Sequence, residues 1–269
     1  MGDVHCINTS QNQQYFPQDI WYAILGVGKF LVIPAGVMNT TLSDEQRAKF
    51  YKSHRERSAT NFKKKHRLQF DRDFAELTGA TPSMAVLEIG CGTGLFLRYL
   101  EAYEYEEIVG IDGDENLASA LRDLKLSEVY LDDALSVLKN KLDTRKFDRI
   151  VMFDVAEHLQ LDVLVNLMNL LGDHINIDGK LLLRVPNIES PWGLKMFYGS
   201  FDHVTPLSPG RIYELGVMTN WLCEGVFPQK PNSIMRRLKE GLINKILGAL
   251  LSYHPDIWTA NLLAVYNKK

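Results

Sequence analysis

The chain has 269 residues, 46% of them hydrophobic and 23% charged, with a formal net charge of -3. That length supports one sizeable domain with a lid rather than two catalytic domains, and that composition excludes a disordered or fibrous chain. The mildly acidic total does not mark a polyanion-binding protein, and three scattered cysteines (Cys6, Cys91 and Cys223) without a CxxC pair exclude a disulfide framework or a zinc cluster and fit a reducing cytoplasm.

The N-terminus carries Asp3 and Asp19 before its first apolar stretch and no basic region, which argues against a signal peptide. Residues 20–38 (IWYAILGVGKFLVIPAGVM) are nearly long enough to span a bilayer, for which about 20 apolar residues are needed. Lys29 at the centre, Pro34, and Gly26, Gly28 and Gly36 argue against a span, so the segment is expected to pack as a lid or core element or to touch a membrane surface. Ser43 followed by Gln46 reads as a capping box, and a helical stretch runs from there to about Gly79. Within it, residues 47–72 hold ten Lys or Arg against Glu56 and Asp71, the composition of a solvated helix face or of a basic patch for anionic partners. Thr81 and Pro82 break the pattern. Residues 1–80 are therefore expected to form an N-terminal helical extension or lid, and 81–269 a single α/β domain.

From there, short apolar runs at 85–89, 107–111, 128–131, 147–153 and 180–185 alternate with helical stretches at 94–103, 114–125, 134–141 and 159–173. Such alternation predicts right-handed crossovers and a Rossmann-like, doubly wound, mostly parallel sheet, with ligands outside the carboxyl ends of its strands. Two further strands, 222–227 and 257–266, flank a helix at about 233–252. Pairing antiparallel, they bring the sheet to seven strands with an antiparallel last strand and a helical insertion at about 232–253.

The first run leads directly into Val86-Leu-Glu-Ile-Gly-Cys-Gly-Thr-Gly-Leu-Phe96. Gly90, Gly92 and Gly94 let the backbone turn sharply and approach a ligand, and the amides of the following helix start face it. A dinucleotide loop needs a third glycine where Leu95 stands, and no GKS or GKT follows, so neither a dinucleotide nor a nucleoside triphosphate loop fits. Asp112 ends the second run, where a carboxylate accepts hydrogen bonds from vicinal ribose hydroxyls, which implies an adenosine moiety.

The ordered series VLEIGCGTG, IVGID, YLDDA, FDRIVMFDVAEHL and GKLLLRVPN resembles the motifs of class I S-adenosylmethionine (SAM)-dependent methyltransferases, closely over residues 82–190. The resemblance implies that Glu88 orients the loop and holds the methionine amino group, that the backbone of Gly90, Cys91, Gly92 and Gly94 lies under the methionine part, and that Asp112, with Gly113 beside it, takes the ribose. Asp133 would accept from the adenine amine, sharing that position with Asp132, with the Ala134 amide near the ring. Asp154 would close the other side.

Methyl transfer from a sulfonium is an in-line displacement that relies on positioning and requires no metal, although a hydroxyl acceptor benefits from a general base. His158 and His203 fall where an acceptor should sit, and each is equally readable as a residue that only packs or hydrogen bonds. The stretch 186–208 is similar to a subset of these enzymes acting on sugars of surface polysaccharides. That likeness puts His203 ahead of His158 as base and makes Asn187 and Glu189 acceptor-side groups. In the helix 233–252, Met235, Leu238, Leu242, Ile246 and Leu250 form a stripe with Arg236, Arg237, Lys239 and Lys245 elsewhere, suited to core packing or, together with 20–38, to an anionic membrane surface.

The expected function is methylation of a hydroxyl or amine on a small or glycan acceptor, such as a sugar of a surface polysaccharide. The alternatives are a quinone or other lipophilic acceptor, or a Rossmann-like binding protein without chemistry. Intact Glu88, Gly90, Gly92, Gly94 and Asp112 argue against the last, Leu95 argues against an NAD-linked oxidoreductase, and DVAEHL in place of an NPPY-like motif argues against a nucleic-acid substrate.

Overall fold

A computed structural model describes residues 49, 52, 53 and 61–269. The apolar segment 20–38, the capping box at Ser43 and Gln46, and most of the basic stretch before residue 61 lie outside the described residues.

Five apolar runs become parallel strands: β1 (Ala85–Ile89), β2 (Glu107–Asp112), β3 (Ser127–Leu131), β4 (Phe147–Phe153) and β5 (Ile175–Pro186). Central strands covered on both faces must be apolar throughout, and Val86, Leu87, Val109, Ile150, Val151, Leu181 and Leu182 are accordingly buried. β6 (Trp221–Pro228) and β7 (Asn261–Lys268) complete the sheet in the order β3-β2-β1-β4-β5-β7-β6. β7 is antiparallel to both of its neighbours, so the fold is the expected doubly wound seven-stranded sheet. The last strand in the chain lies inside the sheet, however, and β6 forms the edge.

Helices cover both faces. α2 (Leu95–Ala102) and α1 (Lys64–Phe70), which continues through a π-helical turn at Asp71–Glu76, contribute Phe70, Phe74, Phe96 and Tyr99 to one core with Val86, Val151 and Leu182. Phe96 is the hub of this aromatic group, with ring centroids 4.9 Å from Phe74 and 5.1 Å from both Phe70 and Phe153. Buried Arg149 on β4 donates from Nε and Nη2 to the Thr78 carbonyl, tying the end of this helical segment to the sheet. Lys63, Lys64 and Lys65 are exposed.

The opposite face packs against α4 (Ala134–Asn140) and α5 (Leu161–Leu171) through Val137, Leu138, Leu164 and Leu167. The helix expected at 114–125 is shorter: a 3-10 turn, Glu115–Leu117, followed by α3 (Ala118–Leu121). Residues 257–260, expected as strand, instead form the approach to β7. Two helices were not expected, α6 (Pro191–Phe197) and α7 (Pro209–Met218). Each starts at a Ser-Pro pair in which the serine hydroxyl oxygen accepts a backbone amide, from Trp192 to Ser190 and from Arg211 to Ser208. α8 (Ile234–Leu250) occupies the expected insertion between β6 and β7 and buries none of its residues. Among the described residues no helix is long and apolar enough to cross a membrane.

Candidate active site

The strand order reverses between β1 and β4, and at such a switch point a crevice opens at the carboxyl ends. A cavity of about 710 Å³ lies there, within the range of small-molecule sites. Gly90, Gly92, Asp112, Gly113, Leu131, Asp132, Asp133, Asp154, His158 and Asp202 are among its lining residues. Gly90, Gly92 and Gly94 have φ of 74°, 50° and 75°, the left-handed region that side chains disfavour. A methyl group on Gly90 would lie 2.3 Å from Val155 Cγ2, whereas one on Gly92 would meet nothing within 4 Å, which leaves room for a ligand to approach that backbone.

Asp112 joins the loop to the cavity. Its Oδ2 accepts from the Gly92 amide at 2.8 Å and its Oδ1 from the Asp114 amide at 2.9 Å. Burial raises its pKa, against the pull of these two amides. Glu88 lies beneath the loop, 4% exposed, and its Oε2 has no hydrogen-bond partner. Burial pushes the Glu88 carboxyl well above its ordinary range, the Arg184 charge opposing and the Asp112 charge adding. A buried carboxylate oxygen without a donor is costly. A cationic amino group lying over the loop supplies the donor that it lacks, so the residues fit the methionine end of SAM.

Asp133 caps α4, its Oδ1 accepting from the Ser136 amide at 2.9 Å, and Asp132 accepts from the Asp133 amide. Both carboxylates line the cavity; Ala134 starts the helix behind them. Asp154, at φ 57°, holds Arg184 in a two-pronged ion pair, Nε to Oδ1 at 2.9 Å and Nη2 to Oδ2 at 2.5 Å.

The two histidines come together, with ring centroids 4.6 Å apart. His158 ends a 3-10 turn, Ala156–His158, and its Nδ1 pairs with Asp202 Oδ2 at 2.8 Å. His203 Nδ1 lies 2.8 Å from the Phe197 carbonyl oxygen at the end of α6. The loop is fastened by the Val204 and Thr205 amides, which both donate to the Glu157 carbonyl, and by the Thr205 hydroxyl, which donates to the Leu159 carbonyl. Burial lowers the His158 pKa, but the hydrogen bond and charge of Asp202 outweigh it and the net shift is upward. His203 shifts downward, through burial and then the charge of His158. Burial works against ionisation of Asp202, yet hydrogen bonds from His158 and Ser200 bring its carboxyl to about 2. Buried Glu157 is raised above the ordinary carboxylate range by burial and the neighbouring Asp154 charge.

The structure does not bring Asn187 or Glu189 to this cavity. Asn187 is fully buried, its Nδ2 donating to the Ile257 and Thr259 carbonyls and its Oδ1 accepting from the Glu189 amide; Glu189 is exposed. Conversely, Asp202, Glu157 and Arg184 were not singled out from the sequence. Asp202, next to His203, carried a readable signal as a carboxylate beside a candidate base; the contacts of Glu157 and Arg184 depend on the folded chain.

A family described as "Methyltransferase domain" matches residues 44–221. The ubiquinone biosynthesis O-methyltransferase, mitochondrial, of Candida albicans is 29% identical over 133 residues, covering 47% of this chain and 39% of that protein's own length. Among solved structures, a SAM-dependent methyltransferase from Archaeoglobus fulgidus superposes with a TM-score of 0.59 at 19% identity, over 82% of this chain and 99% of that one. The plantazolicin methyltransferase BpumL, in complex with a monoazolic desmethylPZN analog and SAH, gives 0.56 at 16% identity, over 84% and 91%. At these identities the structural likeness speaks for the fold.

Proposed function

The chain belongs to the methyltransferase domain family, and from that premise we propose that it transfers a methyl group from SAM to a hydroxyl of a small acceptor. The observation that carries the reading is the glycine loop at the switch point with Asp112 between its amides and the cavity. Glu88 and the loop backbone would hold the methionine end, Asp112 the ribose, and Asp132 and Asp133 the adenine edge. Bound there, SAM supplies a methyl group already activated on a sulfonium. The chain's own residues orient the acceptor and receive its proton at the His158 and His203 pair, with Asp202 positioning the imidazole of His158. Glycan and lipophilic acceptors both remain in play: the 186–208 motif favours a sugar, and the Candida relative favours a quinone-like ring.

The experiment is calorimetric titration with SAM, with NAD as control ligand, followed by a methyl-transfer screen over nucleotide sugars, lipid-linked glycans and polyprenyl phenols. Preference for NAD would sink the reading. Once an acceptor is found, Asp202→Asn is expected to lower kcat about 100-fold while SAM affinity is retained; an unchanged kcat would remove Asp202 from the mechanism.

Peripheral membrane contact is proposed through 233–252, with 20–38 as a second candidate segment. On α8, Met235, Leu238, Leu242, Ile246 and Leu250 are each at least half exposed, beside Arg236, Arg237, Lys239 and Lys245. Unburied apolar stripes with basic neighbours bind anionic surfaces. Cosedimentation with phosphatidylglycerol vesicles and not with phosphatidylcholine vesicles is the expected result, and loss of neither protein pool to the pellet would refute the contact.

A further inference from the structure

Glu157, His158 and His203 present one donor atom each within 4.8 Å of one another. Donors of a single zinc ion, each about 2.1 Å from the metal, lie roughly 3–4 Å apart, so small side-chain adjustments close the set. Both imidazoles have Nδ1 engaged, on the Asp202 carboxylate and on the Phe197 carbonyl, which leaves Nε2 of each as the ligating nitrogen. Carboxylate and carbonyl partners on the remote nitrogen are the arrangement that fixes the tautomer and ring orientation of metal-binding histidines. Independently, Glu157 is 1% exposed and its Oε2 has no hydrogen-bond partner. A buried carboxylate oxygen without a donor calls for a cation or a proton.

We propose that Glu157, His158 and His203 bind one divalent transition-metal cation, Zn²⁺ by the chemistry of the donors, at the acceptor end of the cavity. Two imidazoles and a carboxylate suit Zn²⁺ and leave coordination positions open. His158 lines the cavity, so an open position faces the space where the acceptor enters. This deepens the methyl-transfer reading and rests on it for the identity of the acceptor. An acceptor hydroxyl coordinated there gives up its proton more readily, to water at the open side of the cavity. The O–CH3 bond then forms as the S–CH3 bond breaks, the electron pair remaining on sulfur. In this mode the histidines act as ligands and the cation takes over the acidifying role.

The test is Zn²⁺ affinity of the full chain by chelator competition, with Co²⁺ absorbance as a second readout and SAM affinity as the control. Wild type is expected to bind one equivalent of Zn²⁺ and to show a visible Co²⁺ band. His203→Ala and Glu157→Gln are expected to lose both while keeping SAM affinity and Tm. Asp202→Asn, which removes no ligand, should weaken Zn²⁺ about 10- to 100-fold; it also serves if either ligand variant fails to fold. Wild-type Zn²⁺ affinity no tighter than that of His203→Ala, or unaltered by Asp202→Asn, overturns the site. Zn²⁺ binding without SAM binding supports the site and overturns the methyl-transfer reading, so the two failures are distinguishable.

Discussion

Asp112→Ala is expected to lower SAM affinity by roughly 100- to 1,000-fold, with NAD showing no comparable dependence. Two hydrogen bonds from ribose hydroxyls to a carboxylate contribute about 3–4 kcal/mol together, and each 1.4 kcal/mol is tenfold. The substitution also removes the acceptors of the Gly92 and Asp114 amides, so the loop loses its order before ligand arrives. Asp112→Asn keeps one acceptor oxygen and should lose less. Calorimetry on the three proteins is the measurement, and equal affinities for wild type and the Ala variant would remove this carboxylate, and the adenosine reading with it.

The second large effect is on stability, in Gly90→Ala. At φ 74° an alanine carries left-handed strain of about 1–2 kcal/mol. Its methyl would also press to 2.3 Å from Val155 Cγ2, and overpacking of that kind costs about 1–3 kcal/mol. The sum, about 2–5 kcal/mol, should appear as a clear drop in the urea midpoint. Gly92→Ala shares the strain at φ 50° but meets open space, so its loss is confined to about 1–2 kcal/mol while SAM affinity falls. Equal midpoints for the two variants would mean that Val155 does not back the loop as described.

The contrast between loop and acceptor side has a physical basis. The glycines, Asp112 and the strand ends they follow are local features: an apolar run of the right length, a turn requiring positive φ, and a carboxylate at the next strand end are all adjacent in sequence or at fixed strand-to-strand intervals. The acceptor side is assembled from segments far apart. Asn187 illustrates the limit, because its motif position suggested substrate contact, whereas Nδ2 is held by the carbonyls of Ile257 and Thr259, some 70 residues away. The expectation of helix through 114–125 and of strand from 257 failed for a related reason: boundary residues follow what they pack against more than their own propensity. The two Ser-Pro helix starts at Ser190 and Ser208 were readable in the chain and mark the segments that bring His203 inward.

By itself, the amino-acid sequence determined the doubly wound sheet and its cofactor end, because uniform apolar runs can only be buried parallel strands and because glycines at 90, 92 and 94 serve a backbone that no other residue adopts cheaply. Only the tertiary structure decided that β7 enters between β5 and β6, and that the Glu157 carbonyl fastens the loop of Thr205. Through that fastening His203 comes against His158, with Asp202 and the buried Glu157 beside them. Those groups meet through hydrogen bonds and packing between distant segments, interactions whose partners have no fixed spacing along the chain.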